Sequence, residues 1–178
     1  MAFRLVETQL GWFGLAWSER GIMRVYLPGS TPEGLRERLG KFGAESDEGP
    51  GFVAQAVALI RAYAAGERVS FADIPLDLDG VSEFNRRIYQ DILALGWGET
   101  TTYGEIARRM GDVGLSRAVG QAMGSNPIPL IVPCHRVLAS GGKTGGFSAP
   151  GGATAKVKML ALEGVEPGAA PGQMSFGF

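Results

Sequence analysis

Cysteine and histidine are almost missing from this chain: one of each in 178 residues. A single thiol excludes an intrachain disulfide and suits a reducing compartment. One Cys and one His cannot build the usual Cys/His zinc sites, so neither metal nor cofactor is expected. No run of about 18 apolar residues occurs, which leaves no candidate for a membrane-spanning helix. Residues 1–12 lack the apolar core and cleavage site of a signal peptide, so a cytoplasmic location is expected. A large excess of one charge is missing too. The net charge of −1 argues against a strongly basic nucleic-acid binder.

What is present is ordinary in bulk and uneven in detail. The chain is 45% hydrophobic and 20% charged, as in a soluble globular protein with a real core. Residues 1–80 hold 8 Lys/Arg against 11 Asp/Glu, a balance of −3. Residues 81–165 hold 9 against 6, a balance of +3, and the remainder adds only Glu166. The second half is mildly basic, which is compatible with a polyanionic partner and is weak support on its own.

The lone Cys and the lone His are neighbours, in Pro133-Cys134-His135-Arg136. Chance would place them so about one time in ninety. A free thiol is only about 3% thiolate at pH 7, and an adjacent imidazole can take its proton. Pro133 stiffens the approach to Cys134. In a regular strand the two side chains would point to opposite faces, so contact needs a bend or a bridging water. The plain alternative is a buried structural cysteine beside a surface histidine.

The pattern predicts strands over 3–8, 11–18 and 21–27, closely spaced as in an antiparallel meander. Thr31 and Pro32 start a helix that runs to Gly40. Residues 44–51 read as a loop. Phe52, Ala56, Leu59, Ile60 and Tyr63 mark a second helix ending near Gly66. Residues 67–80 read as an extended connection, with a domain boundary near Gly80. Beyond it, Ser82 caps a helix whose apolar face is Phe84, Ile88, Ile92 and Leu95. Thr102 and Glu105 form a capping box for a short helix to Met110. Ser116 is expected to cap the next helix, Arg117 to Gly124. Two short helices joined by a tight Gly-containing turn have helix-turn-helix dimensions.

Asn126, ahead of Pro127-Ile128-Pro129, can hold a turn near Cys134 or simply stop the helix. The Gly-rich stretch 141–152 reads as a mobile lid over the cysteine; its Gly142-Lys143-Thr144 lacks the first glycine of a phosphate loop. A last helix over 154–163 is expected to turn Val157, Leu160 and Ala161 inward. Residues 166–178 are expected to be a disordered tail. The resulting fold class is mixed α/β (α+β). It has a small N-terminal antiparallel sheet with helices over 1–80 and a mainly helical domain over 81–165 that carries the helix-turn-helix and the cysteine loop.

Arg117-Ala118-Val119-Gly120, Asn126-Pro127-Ile128-Pro129, Pro133-Cys134-His135-Arg136-Val137 and Leu162-Glu163-Gly164 occur in one order and spacing. Over residues 81–165 the chain resembles the O6-alkylguanine-DNA alkyltransferases, the methylated-DNA–protein-cysteine methyltransferases. The resemblance implies binding of duplex DNA from the minor groove and flipping of a damaged guanine. It implies single-turnover transfer of the O6-alkyl group to the protein's own cysteine, with no cofactor; separately, a monomer is expected.

It also implies roles. Cys134 is the acceptor, His135 the base through a bridging water, and Glu163 the group that orients the imidazole. Tyr103 donates to the guanine, and Arg117 fills the gap left by the flipped base. Asn126 fixes the turn. Ser148 bonds near O6, and Lys156 aids the site, with Lys158 as a rival. Arg136, Thr102, Ser116, Ala118 and Gly120 are expected at the DNA. Without the resemblance, Glu163 reads as a solvated helix-end carboxylate and Tyr103 as core.

The chain departs from the family in a longer loop after Ser148, in Phe147 where tyrosine is common, and in Met159 where tryptophan is common. These bear on pocket size. Two other readings remain: a lesion-binding alkyltransferase-like protein without transfer, and a cysteine hydrolase using Cys134, His135 and Glu163.

Overall fold

The computed structural model describes residues 1–143 and 152–166. Ser148, Phe147, nearly all of the expected lid and the expected tail beyond Glu166 lie outside the described residues. The chain forms two compact units. One is Met1–Gly80 with Pro127–Pro129; the other is Val81–Asn126 with the chain from Leu130 onward.

In the first unit, β1 (Ala2–Thr8), β2 (Gly11–Trp17) and β3 (Ile22–Tyr26) form the antiparallel meander. Phe3, Leu5 and Ala16 share one face with Leu35 and Leu39 of α1 (Pro32–Leu39). Gly14 permits that approach, since a Cβ there would meet Leu39 Cδ1 at 2.7 Å. Thr31 caps α1 by accepting from Gly34 N–H, with Pro32 at the first turn. Val6, Phe13 and Leu15 alternate onto the other face and are buried. The helix α2 (Gly51–Ala64) packs against β1 and ends before Gly66, whose φ is +86°.

Residues 44–51 contain more than a loop. Ala44–Glu45 is a short strand, β4, which adds to the edge of β1 in parallel. Two exposed residues carry no hydrophobic period, so this pairing was invisible in the sequence. The extended segment before Gly80 is pinned: Ile22 N–H donates to Pro75 O at 2.9 Å, and Asp77 N–H to Ile22 O at 2.8 Å. The Asp77 carboxylate accepts from Ser18 Oγ (2.5 Å) and Arg20 Nη2 (3.2 Å).

The second unit starts with α3 (Glu83–Leu93), capped by Ser82 and burying Ile88, Tyr89 and Ile92. The strand β5 (Thr101–Thr102) runs into α4 (Tyr103–Arg109). Both halves of the capping box are formed: Thr102 Oγ1 accepts from Glu105 N–H, and Glu105 accepts from Thr102 N–H. A tight turn leads to α5 (Ser116–Gly124), which packs on α4 and α3. Tyr89 OH donates to Ala122 O at 2.7 Å and fastens α3 to α5. The strand β6 (Val137–Leu138) pairs in parallel with β5, and α6 (Gly152–Leu162) follows.

Two expectations are corrected here. Ser116 is not an N-cap: a 3-10 turn over Val113–Leu115 runs directly into α5, and Ser116 Oγ donates to Val113 O at 2.8 Å. Asp112 caps that turn instead, accepting from Gly114 N–H at 2.8 Å. On α6, Val157 is 38% exposed and Ala161 is exposed, while Lys156, Met159 and Leu160 are buried, as is Glu163 just past the helix end. The inward face has helical spacing, but a lysine and a glutamate in it disguise it as a surface.

Candidate active site

Three pieces of the second unit converge on Cys134. Asn126, just past α5, donates from Nδ2 to Val132 O at 2.9 Å and closes the turn ahead of the cysteine. Within that turn Leu130 is buried with φ of +77°, the only positive φ outside glycine among the described residues. Such a conformation costs about 1–3 kcal/mol for a side chain of this kind, so the surrounding packing imposes it. Cys134, His135 and Arg136 then form one 3-10 turn. This is the bend that a strand would not have supplied. The β5–β6 pairing, Thr101 with Val137 and Thr102 with Leu138, sets that turn beside the capped start of α4, where Tyr103 sits. The helix α6 packs against the turn and supplies Lys156, with Glu163 in the turn just past its end.

His135 and Glu163 are buried and joined through His135 Nε2 and Glu163 Oε2. An ionised carboxylate only accepts, so Nε2 carries the hydrogen and Nδ1 is the basic nitrogen. The other carboxylate oxygen accepts from Arg136 Nε at 2.7 Å and Gly98 N–H at 3.1 Å. Arg136 also donates from Nη1 to Leu95 O at 2.7 Å. Burial favours the neutral form of Glu163, but the hydrogen bonds and charges of His135 and Arg136 outweigh it and hold the carboxyl down at about 2. Burial also lowers His135; Glu163 opposes that shift, and Arg136 and Lys156 reinforce it. At rest the imidazole is neutral and the carboxylate charged.

The sulfur lies under cover, 2% exposed, and burial pushes the Cys134 thiol up to about 11. Opposing burial are a hydrogen bond from Asn126, the Lys156 charge, and the backbone N–H groups of Cys134 and His135. The thiol is therefore protonated at rest, and the neighbouring imidazole does not hold it ionised before a reaction begins. Making the thiolate at pH 7 costs roughly 5 kcal/mol, so ionisation must coincide with the arrival of a reaction partner. Lys156 is fully buried, donates from Nζ to Val137 O at 2.5 Å and lies 5.7 Å from the centre of the Tyr103 ring. Burial lowers it to about 8, although Cys134 pulls the other way. The half-buried Tyr103 hydroxyl is raised by burial and by the nearby cysteine.

Residues 83–165 match the model of the 6-O-methylguanine DNA methyltransferase, DNA binding domain. The chain is 40% identical over 161 residues to a methylated-DNA–protein-cysteine methyltransferase of Mycolicibacterium paratuberculosis, covering 90% of this chain and 91% of that one. A protein of the same name from Methanosarcina acetivorans is 36% identical over 92% of this chain and 99% of its own. The crystal structure of Mycobacterium tuberculosis OGT in complex with DNA superposes with a TM-score of 0.75, at 36% identity and 92% coverage of each chain. The chain belongs to the methylated-DNA–protein-cysteine methyltransferase family.

In this methyltransferase, Cys134, His135, Glu163, Asn126, Tyr103 and Lys156 come together around one buried turn. Arg136 does not join the surface residues expected at the DNA. It is 8% exposed and spends its fork on Glu163 and Leu95, because a buried carboxylate needs a charged donor. Arg117 is exposed near the start of α5. Thr102, Ser116, Ala118 and Gly120 are half-buried along the helix pair. A Cβ at Gly120 would meet open space, as on an outward helix face. Lys158 is exposed, whereas Lys156 is buried near Tyr103 and Cys134. Gly98 N–H, Leu95 O and Val137 O were not anticipated. Backbone groups leave no mark in side-chain identity, and only the positive φ of Gly98, +74°, sets that residue apart.

Proposed function

We propose that this protein repairs duplex DNA by moving the alkyl group of O6-alkylguanine, O6-methylguanine above all, onto Cys134 Sγ. The carrying observation is the cysteine turn whose neighbouring imidazole is fixed by a buried, ionised glutamate. The S–C bond forms as the C–O6 bond breaks. The thiol proton passes through a bridging water to His135 Nδ1, and Glu163 stabilises the imidazolium. Guanine leaves as an anion and recovers a proton, with Tyr103 as the donor. The high resting position of the Tyr103 hydroxyl means that it releases its proton only as charge develops on the base.

Asn126 and Lys156 favour the thiolate as it forms. The thioether has no route back, so each molecule acts once. Arg117, exposed on α5, occupies the space of the extruded base, and Thr102, Ser116, Ala118 and Gly120 approach the duplex. Ser148 belongs to this proposal on sequence grounds. The protein acts as a monomer in the cytoplasm, where its one thiol stays reduced. An intact thiol with its base and orienting carboxylate favours transfer over lesion recognition alone.

The test is intact-mass measurement after mixing with a duplex holding one O6-methylguanine. The expected result is one added methyl group on Cys134, absent in Cys134→Ala. Folded protein that binds the lesion and stays unmodified refutes the proposal.

A further inference from the structure

We propose that Arg136 is a positioning residue that keeps His135 a neutral base by sharing the Glu163 carboxylate with it. This rests on the transfer reaction proposed above. The geometry is a fork: Glu163 Oε2 meets His135 Nε2, while Oε1 takes Arg136 Nε at 2.7 Å and Gly98 N–H at 3.1 Å. Arg136 is held in place at its other end by Leu95 O, 2.7 Å from Nη1. Arginine brings a permanent charge, so the carboxylate is balanced before the imidazole is considered.

The charged and titratable groups facing His135 are few. Among the described residues, Lys156 comes from α6, Glu163 from the turn just past its end and Arg136 from the turn of His135 itself, while Cys134 adjoins it in sequence and Tyr103 of α4 stands near Cys134 and Lys156. With Glu163 ionised and Arg136 and Lys156 charged, these three groups carry one surplus positive charge. Burial is the first cause that disfavours a resting imidazolium, and the charges of Arg136 and Lys156 add to it against the pull of Glu163. The balance changes when the thiol proton moves to His135. That step creates a thiolate and an imidazolium together and leaves the net charge of the site unchanged. The imidazole is thus a poor acceptor of solvent protons and a competent acceptor of the one proton that matters.

Removing the guanidinium weakens this. Glu163 would then pull on His135 with less opposition, and a larger share of the base would be protonated at a given pH. The sign is definite: loss of a neighbouring positive charge raises the imidazole, so a higher pH is needed to free it.

The experiment is the single-turnover rate of methyl transfer to Cys134 as a function of pH, for wild type, Arg136→Met and Arg136→Lys. In Arg136→Met the acid limb moves up by about one unit, roughly a tenfold loss on the limb, with recovery on the alkaline plateau. Arg136→Lys keeps the charge and returns the limb toward wild type. A uniform loss at every pH in Arg136→Met means Arg136 only supports the fold, and overturns the inference. Failure of wild type to methylate Cys134 overturns the transfer proposal instead, so the two failures are distinct.

Should Arg136→Met not fold, the wild-type protein still decides. His135 is the only histidine in the chain, so its ring proton signal is unambiguous in NMR. It is expected to titrate below the ordinary 6.5. A resting imidazolium at neutral pH refutes the inference.

Discussion

Replacing Lys156 by methionine should stabilise this protein and slow its reaction. The lysine is fully buried, and burial lowers it from 10.5 to about 8. Below pH 8 both folded and unfolded chains carry the proton, so the folded state bears the whole penalty, roughly 3 kcal/mol. Between about 8 and 10.5 the folded protein releases its proton first and the penalty fades, to about 1 kcal/mol near pH 10. Methionine fills the volume without a charge, but leaves Val137 O without its donor, a loss of about 1 kcal/mol. The net gain at pH 7 is about 2 kcal/mol, or a rise in Tm of about 4–8 °C. Meanwhile the forming thiolate loses the Lys156 charge that favours it, and transfer to Cys134 should slow by about tenfold. The assay is paired: thermal unfolding of wild type and Lys156→Met at pH 7 and pH 10, with transfer kinetics at pH 7. A variant less stable than wild type by the same amount at both pH values refutes the reasoning, because the lysine would then be structural.

Glu163→Gln removes the buried anion. Transfer should fall by about 10–100-fold, and Tm should drop because the Arg136 guanidinium loses its partner, a change of about 3–5 kcal/mol. The Glu163 carboxyl lies at about 2 in the fold against 4.5 ordinarily. Its contribution is therefore complete above about pH 4.5 and lost as pH falls toward 2, so the variant should show a shallower acid decline in denaturation curves. Arg117→Ala should reduce transfer to a lesion duplex by at least tenfold while changing duplex affinity only a few-fold, measured by transfer kinetics beside salt-matched titrations. Equal losses in both would contradict the base-replacement role.

Local signals in the sequence carried most of the secondary structure. Thr31-Pro32, Ser82 and the Thr102–Glu105 box are decided within one helical turn, so they could be read before any packing was known. The proposed nucleophile and base were legible because a chain with one Cys and one His leaves no competitors, and they are adjacent. Family resemblance, not spacing, pointed to Glu163 and Tyr103, whereas Asn126 was also marked by its nearness to Cys134.

Tertiary structure alone decided the rest. Lys156 on α6 and Glu163 just past it look like surface residues, and only the packing of this helix on the cysteine turn makes them interior. Arg136 reads as a contact for DNA until a buried carboxylate claims it. The protonation of the thiol depends on solvent exclusion, which no residue type encodes. Sequence determines which groups can ionise and which turns close. Whether a group is charged depends on what surrounds it in space, and that is set by elements far apart along the chain.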